Sequence, residues 1–313
     1  MLFLKLKSLF YLYFKLLTYA ILAFFLSNVD KMKTKIILKN MRKHLVVKKN
    51  KTKLFVIIIF ILIISTNSAL GNSLITTIYI PEGIVMATDS RQSLYLNGKI
   101  ISVNTDTAIK LFLLKKLKIG ISTCGEGFVN NISISSHIKN FIEKEITDDD
   151  IITVANELFE YIKNICVSNE NITFHVAGYK KENQVSVPYV YTLNTKDNLI
   201  KRINIDSDNK INYTMTWSGQ IDILECILTP TITLDEKGNE QIIKEVVPII
   251  WEAMTLQDAI DFSIYAIRTT IDTIRFQARP KTVGGPIDVL LISPEEAKFI
   301  QKKELHGEII KQE

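Results

Sequence analysis

Three features between residues 73 and 127 have the chemistry of a hydrolytic site. Asp89 ends a predicted strand, and Lys110 follows about twenty residues later at the start of another. A glycine-rich turn, Cys124-Gly125-Glu126-Gly127, comes after the next strand. A carboxylate can hold a lysine in place, a lysine can tune a nearby base, and backbone N–H groups of a turn can bind an oxyanion. A hydroxyl residue at the start of the first strand would supply the nucleophile.

Short strands must position these side chains. Two are predicted on either side of the Pro81-Glu82-Gly83 turn, and the second of them ends at Asp89. A hairpin with the turn Asn97-Gly98 then leads to Lys110 and to the strand 111–114. One more strand, 118–123, closes on the glycine-rich turn, so the site is predicted to lie where several strands end.

Helical periodicity begins near Ser133. The first predicted helix has an apolar face of Ile134, Ile138, Phe141 and Ile142, and the second has one of Val154, Leu158, Ile162 and Ile165. The acids Asp148, Asp149 and Asp150 precede the second helix. Consecutive acids suit a helix N-terminus and do not converge on one ion, so capping is favoured over metal binding.

The second half of the chain returns to strands and then to helices. Strands are predicted at 172–178, 185–193, 199–205 and 211–217, a short helix after Ser218-Gly219-Gln220, and an exposed hairpin or loop at 229–248. The longest helix starts at a capping box, Thr255-Leu256-Gln257-Asp258. A strand at 287–292 and a C-terminal helix after Ser293-Pro294 complete the chain. This order predicts an α+β fold, a four-layer αββα sandwich of two antiparallel sheets flanked by helices.

Charge is distributed unevenly along the 313 residues. Residues 1–72 contain 13 of the 38 Lys and Arg side chains but only one of the 33 acids, so residues 73–313 carry a net negative charge. A nucleic-acid partner therefore has no electrostatic support in that region. Three cysteines, Cys124, Cys166 and Cys226, lack metal-binding spacing and are expected to be reduced core thiols. No cofactor and no metal are expected.

Residues 1–72 are predicted to be a hydrophobic and basic extension of a single domain at 73–313. The stretch 9–26 could span a bilayer, and a basic run at 31–53 precedes eleven apolar residues at 54–64. This second unit resembles a signal peptide, and Met32 or Met41 would be a start that retains it alone. A membrane anchor or a propeptide is the alternative. The protein would be membrane-associated or exported if these residues are translated, and cytoplasmic otherwise.

Six segments, in chain order, carry a resemblance that covers residues 73 to about 308. They are Gly83-Ile84-Val85-Met86-Ala87-Thr88-Asp89-Ser90-Arg91, Ile119-Gly120-Ile121-Ser122, Val176-Ala177-Gly178-Tyr179, Trp217-Ser218-Gly219, Ala266-Ile267-Arg268 and Val283-Gly284-Gly285. Together they resemble the proteasome β-subunit family and its bacterial peptidase relatives, which are N-terminal-nucleophile hydrolases.

The resemblance implies that the nucleophile is the first residue of the mature chain. In the family it lies ten residues before the turn glycine and sixteen before the strand-end aspartate, and both counts lead to Ser73. The family's usual nucleophile is threonine, and serine offers the same hydroxyl. Thr76 and Thr77 are alternatives that need a deletion in a tight hairpin. The freed α-amine would act as the base.

Other roles follow from the same resemblance. Lys110 and Asp89 resemble the catalytic lysine and its partner, and the backbone of Cys124 and Gly125 would form the oxyanion hole. Ser218 resembles the serine that positions the terminal amine. The family's second aspartate is replaced by Arg279-Pro280-Lys281-Thr282, so Asp272 is the nearest candidate. Cys124 as a nucleophile is disfavoured, and His137 and His175 are expected to be structural.

The implied activity is hydrolysis of peptide or protein substrates by a serine variant of a threonine-type endopeptidase, assembled as a homo-oligomeric ring. A non-peptide amidase of the same fold is an alternative. A third possibility is a catalytically silent structural or membrane-anchored interaction protein. Asn72 favours that reading, because self-cleaving relatives usually have glycine before the nucleophile.

Overall fold

The structure is a computed structural model that describes residues 73–96, 99–103, 106–144, 150–166, 170–234 and 240–304. The expectations for residues 1–72, including a signal peptide or membrane anchor, lie outside these ranges, as do Asp148 and Asp149. None of the helices within the described part of the chain has the length and apolar character needed to cross a membrane.

The described residues form sixteen strands and four α-helices, in a mixed α/β arrangement with antiparallel sheets. The strands are β1 (Leu74–Ile80), β2 (Gly83–Thr88), β3 (Ser93–Leu96), β4 (Lys99–Val103), β5 (Leu111–Leu114), β6 (Ile119–Gly125), β7 (Phe128–Val129), β8 (Ile132–Ser133), β9 (Ile172–Glu182), β10 (Val185–Asn194), β11 (Leu199–Arg202), β12 (Thr214–Gly219), β13 (Thr231–Leu234), β14 (Glu240–Lys244), β15 (Asp288–Ile292) and β16 (Ala297–Gln301). The helices are α1 (Ile134–Lys144), α2 (Ile151–Ile165), α3 (Asp222–Leu228) and α4 (Leu256–Phe276).

Two five-stranded sheets carry the site. The first sheet has the order β12-β1-β2-β15-β16, and the second has the order β11-β10-β9-β6-β5. Every strand pair within them is antiparallel. Strand β1 is paired on both sides, with β2 and with β12, and all seven of its residues are buried. A strand paired on both sides is held more firmly than an edge strand.

Three apolar clusters fill the spaces next to the sheets. One joins α1 and α2 to the second sheet, and another joins α3 and α4 to the first sheet. The third contains residues of both sheets, among them Tyr79, Met86, Leu111, Val190 and Leu290. Full burial of one such side chain contributes about 1.5–3 kcal/mol, so these clusters supply most of the driving force for folding.

The predicted helix faces are confirmed. Ile134, Ile138 and Phe141 of α1 are buried, as are the predicted inner positions Val154, Leu158 and Ile162 of α2. Asp150 caps α2, because its carboxylate accepts a hydrogen bond from the backbone N–H of Ile152. The capping box at Thr255 and Asp258 begins α4. Residues 229–248 include the predicted hairpin, formed by β13 and β14.

Two expectations are wrong. The segment after Ser293-Pro294 is strand β16 and not a helix. Ala297 and Phe299 lie on one face of this strand and pack against the cluster that contains residues of both sheets, and the strand pairs with the free edge of β15. Of the three expected core thiols only Cys124 is buried; Cys166 is half-buried and Cys226 is exposed on α3. The short amphipathic helix α3 buries Ile223 and Leu224 and leaves Cys226 on its outer face.

Candidate active site

Asp89 is fully buried where β2 ends, and four donors surround its carboxylate. Its Oδ1 accepts hydrogen bonds from the Leu74 backbone N–H at 3.1 Å and from the Lys110 ammonium at 2.7 Å. Its Oδ2 accepts from the backbone N–H groups of Arg91, at 3.1 Å, and Gly284, at 3.0 Å. A buried carboxylate is stable only when its oxygens are satisfied in this way, and here each oxygen accepts two hydrogen bonds.

Lys110 lies beside Asp89 and is also removed from solvent. Its ammonium donates a second hydrogen bond to the Arg91 carbonyl oxygen. Burial lowers the pKa of Lys110 because the charged form is separated from water, and the charge of Asp89 partly opposes this effect. The structure thus brings together the predicted lysine and its predicted partner, 21 residues apart in the chain.

An ion pair between Arg91 and Asp106 fixes the loop around this pair. The guanidinium donates from Nε and Nη2 to the two carboxylate oxygens of Asp106, at 2.7 and 2.8 Å, and from Nη1 to the Lys281 carbonyl oxygen. It lies so close to Gly284 that a Cβ there would be 2.4 Å from its central carbon. The absence of a side chain at Gly284 therefore lets its N–H reach Asp89.

Ser73 precedes β1 and is 5% exposed. Its carbonyl oxygen accepts a 2.7 Å hydrogen bond from the Gln220 backbone N–H. Gly219 has φ +102°, and a Cβ at that position would lie 1.9 Å from the Ser73 oxygen. Glycine is thus required at Gly219 for both its conformation and the close approach of the Ser73 backbone.

A cavity of about 70 Å³ adjoins Ser73 and Lys110. Its other walls come from the ends of β3, β6 and α1; the lining residues are Gln92, Ser93, Ala108, Ile109, Thr123, Cys124, Gly125, Glu126, Gly127, Ser133, Ile134 and Ser135. Four hydroxyl side chains and the Gln92 amide line this wall beside apolar residues, Glu126 contributes a carboxyl group, and Lys110 contributes a cation. A peptide carbonyl would find polar partners there.

Cys124 and Gly125 form one side of the cavity at the end of β6. Gly125 has φ +103°, and a Cβ there would lie 2.1 Å from the Asn171 carbonyl oxygen. Burial raises the pKa of the Cys124 thiol to about 12. A thiol with so high a pKa carries almost no thiolate at neutral pH, which argues against Cys124 as a nucleophile. The oxyanion-hole role of the two backbone groups stays a prediction.

Thr76 and Thr77 lie inside β1 and are fully buried. Each is paired on both sides, with β2 and with β12. The Thr77 hydroxyl oxygen lies 3.0 Å from His175 Nδ1. Making either residue the chain terminus would remove the start of a strand that is paired on both sides, so the geometry favours Ser73 over both.

Ser218 lies on β12 directly opposite Ile75, next to the strand that Ser73 precedes. Its hydroxyl oxygen is 3.0 Å from His175 Nε2. His175 was expected to be structural, and its ring is fully buried, with burial lowering its pKa to about 3. A histidine in a mainly apolar strand segment, Ile172-Thr173-Phe174-His175-Val176-Ala177, is the sequence signal that it needs a buried polar partner.

Asp272 is exposed on α4, unlike the buried Asp89 and Lys110, and its catalytic role stays a prediction. A different acid contacts residues 279–282, the segment where the resemblance would place a second aspartate. Asp222 accepts a 2.6 Å hydrogen bond from Arg279. Gln220, whose backbone holds Ser73, donates to Asp222 through its side chain and accepts from Thr282 at 3.3 Å. Sequence reasoning missed Gln220 and Asp222, although they lie one and three positions after Gly219.

No protein-family model matches the chain, and no characterised protein matches it either. The solved structures that are similar to it include two of Anbu. Anbu from Hyphomicrobium sp. strain MC1 is 13% identical, with 74% of this chain and 86% of that chain covered, at a TM-score of 0.48. The Anbu (Gly-1) mutant from the same organism is 14% identical, with the same coverage and a TM-score of 0.45.

Proposed function

We propose that residues 73–313 form a proteasome-like N-terminal-nucleophile hydrolase that cleaves peptide or amide bonds. The observation that carries this proposal is the buried Lys110–Asp89 pair beside the cavity that Ser73 lines. Burying an ion pair costs desolvation free energy, and the location of this pair next to a hydroxyl group at the start of a strand supports a chemical role.

Removal of residues 1–72 would free the Ser73 α-amine next to its own hydroxyl. The amine takes the hydroxyl proton, through a water, while the Ser73 oxygen attacks the substrate carbonyl. The tetrahedral intermediate collapses to an ester on Ser73, and the leaving amine receives the proton. Water then hydrolyses the ester by the reverse sequence. The Lys110 cation lowers the pKa of the amine, and the backbone of Cys124 and Gly125 stabilises the oxyanion.

The proposal includes the four-layer αββα sandwich. Its support is the arrangement of apolar clusters, with α1 and α2 packed on one sheet, α3 and α4 on the other, and a shared cluster between the sheets. In this arrangement Ser73, Asp89 and Ser218 belong to the first sheet, while Lys110, Cys124 and Gly125 belong to the start of β5 and the end of β6. The cavity opens where the two sheets meet.

Two properties of the whole protein belong to the same proposal. Residues 73–313 assemble into a homo-oligomeric ring that acts on protein or peptide substrates, without a cofactor and without nucleic acid. Residues 1–72, when translated, direct the chain to a membrane or out of the cell before they are removed.

The test starts with the mature N-terminus of the full-length chain expressed in its native host. Intact mass and N-terminal sequencing should show a chain that begins at Ser73. The silent alternative predicts instead that the extension is retained. Hydrolysis of a peptide-amide library by the processed protein then distinguishes a peptidase from a non-peptide amidase.

Three variants make the test specific. Ser73→Ala should abolish turnover without unfolding the protein, and Ser73→Thr should retain activity because threonine carries the same hydroxyl. Ser263→Ala is the matched control, because Ser263 is fully buried on α4 and its hydroxyl has no hydrogen-bond partner among the described residues. Undiminished turnover by Ser73→Ala would exclude Ser73 as the nucleophile.

A further inference from the structure

His175 of β9 connects the two sheets through two hydroxyl groups. Its Nδ1 lies 3.0 Å from the Thr77 hydroxyl oxygen of β1, and its Nε2 lies 3.0 Å from the Ser218 hydroxyl oxygen of β12. The imidazole is fully buried. Both ring nitrogens have a partner, as a polar ring in the interior requires, so the ring orientation is fixed at both ends.

The strand register places Ser218 next to Ser73. Ser218 is the direct partner of Ile75, and Gln220 donates to the Ser73 carbonyl two residues further along. Ser73 and Ser218 are therefore diagonal neighbours on one face of the sheet. Such neighbours are separated by about 7–8 Å between Cα atoms and by less between side chains. The Ser218 hydroxyl is thus within reach of the α-amine that cleavage would free.

We propose that His175 is a positioning residue that orients the Ser218 hydroxyl toward the α-amine of Ser73. The inference rests on the proposed function, in which that amine is the base. In this arrangement the Nδ1–H of His175 donates to Thr77, and Nε2 accepts the Ser218 hydroxyl proton. The Ser218 oxygen then directs its lone pairs at the amine and accepts a hydrogen bond from the ammonium formed during attack.

His175 acts in this arrangement as a neutral hydrogen-bonding group. Its neighbours on the adjacent strands of the second sheet are Ser122 and Thr192, and its contacts on the first sheet are Thr77 and Ser218. None of these four is charged. Burial lowers the pKa of His175 to about 3, so the ring does not gain a proton in the range where the amine titrates.

Two amide substitutions separate the two ends of the imidazole. In His175→Gln the amide reaches the position of Nε2 and can still accept from Ser218. In His175→Asn the amide reaches only the position of Nδ1, so it can contact Thr77 but not Ser218. Each variant loses one buried hydrogen bond, and the two should therefore unfold at similar urea concentrations. A purely structural histidine would give them similar activities as well.

The two variants are expected to differ in kcat. His175→Asn should lower kcat about tenfold or more with little change in KM, because the lost contact matters only once the ammonium forms. His175→Gln should recover kcat to within about threefold of the wild type. In His175→Asn the freed Ser218 hydroxyl can donate to the neutral amine, so the acid limb of the kcat profile should move to lower pH.

The matched control is His137→Asn on α1. His137 is also buried, and its Nε2 lies 3.1 Å from the Val129 carbonyl oxygen. Loss of this contact should reduce the free energy of unfolding without shifting the acid limb of the kcat profile against pH. Equal kcat values and equal pH profiles for His175→Asn and His175→Gln, in a protein whose activity depends on Ser73, would overturn the inference and leave the proposed function intact.

A direct titration separates the inference from catalysis. Full-length protein is expressed with ¹⁵N-serine, and the α-amine of the processed chain is followed by NMR. The amine pKa should fall in His175→Asn and not in His175→Gln. If the amine pKa changes in this way but the protein cleaves no amide substrate, the inference is supported and the proposed function is rejected. A chain that keeps residues before Ser73 would overturn both.

Discussion

The Lys110 ammonium nitrogen lies 2.7 Å from Oδ1 of Asp89, and the two side chains are 7% and 0% exposed. The same Oδ1 also accepts from the backbone N–H of Leu74, the residue after the proposed nucleophile. One carboxylate oxygen therefore fixes both a cation and the strand that carries Ser73. Changes at this pair should affect stability and activity together.

Replacing Lys110 with methionine should be strongly destabilising. It would leave the buried Asp89 carboxylate without a counter-charge, at a cost of about 3 kcal/mol or more. The three backbone donors would remain and limit the loss. Urea unfolding of the variant and of the wild type measures the difference, and turnover should be abolished in the same variant.

Lys298→Met is the control for that substitution. Lys298 pairs with Glu296, but their side chains are 52% and 53% exposed, so its loss should cost less than about 1 kcal/mol. Similar losses at Lys110 and Lys298 would contradict a special role for the buried pair. In the double variant Asp89→Asn with Lys110→Met, part of the stability should return, because no unpaired charge is buried.

Burial of neutral His175 should make the protein sensitive to acid. Its pKa is about 3 in the folded chain and 6.5 ordinarily. Between these values the unfolded chain binds a proton that the folded chain does not, so stability rises with pH there and falls on acidification. The change is up to about 1.4 kcal/mol per pH unit.

The measurement is the free energy of unfolding in urea at pH 4, 5, 6 and 7 for the wild type and for His175→Gln. Carboxylates affect both proteins alike and cancel in the comparison. The difference between the two proteins should therefore change with pH, with the wild type losing more stability on acidification. Parallel curves would show that burial does not shift the pKa of His175 in this way.

Gly219→Ala should disturb the start of β1. The new Cβ would meet the Ser73 carbonyl oxygen at 1.9 Å, in a backbone conformation of φ +102° that L-residues rarely adopt. We expect a loss of about 1–3 kcal/mol in unfolding free energy and a marked loss of turnover. Gly178→Ala is the comparison, because its nearest neighbours would be 3.1 Å away and its φ is not positive. A smaller effect at Gly219 than at Gly178 would contradict the prediction.

The processed chain should sediment as a closed homo-oligomer in analytical ultracentrifugation. The reason is the proposed ring assembly, which in a symmetric oligomer uses the same surfaces on every subunit. Dilution should not dissociate it in the micromolar range. A monomer that hydrolyses peptide amides through Ser73 would reject the ring and retain the nucleophile.

Local patterns predicted the helices and most strands well, because burial of one face leaves a periodic signal in the sequence. The C-terminal segment was predicted wrongly, since the edge of β15 that pairs with residues 297–301 is not visible locally. The Asp89–Lys110 contact was expected from the resemblance. The bridge from Thr77 through His175 to Ser218 was not expected, because it joins residues 98 and 43 positions apart, and such contacts depend on the register and packing of two sheets.

Two hydrogen bonds at Ser73 and Leu74 would limit fraying of an N-terminus formed by cleavage before Ser73. Protein termini ordinarily fray, yet here the Ser73 carbonyl is bonded to Gln220 and the Leu74 amide to Asp89. After cleavage the second residue of the mature chain should exchange its amide proton as slowly as the core. The terminus would then be locally as stable as the sheet that contains it, with little entropy left to lose when a substrate binds.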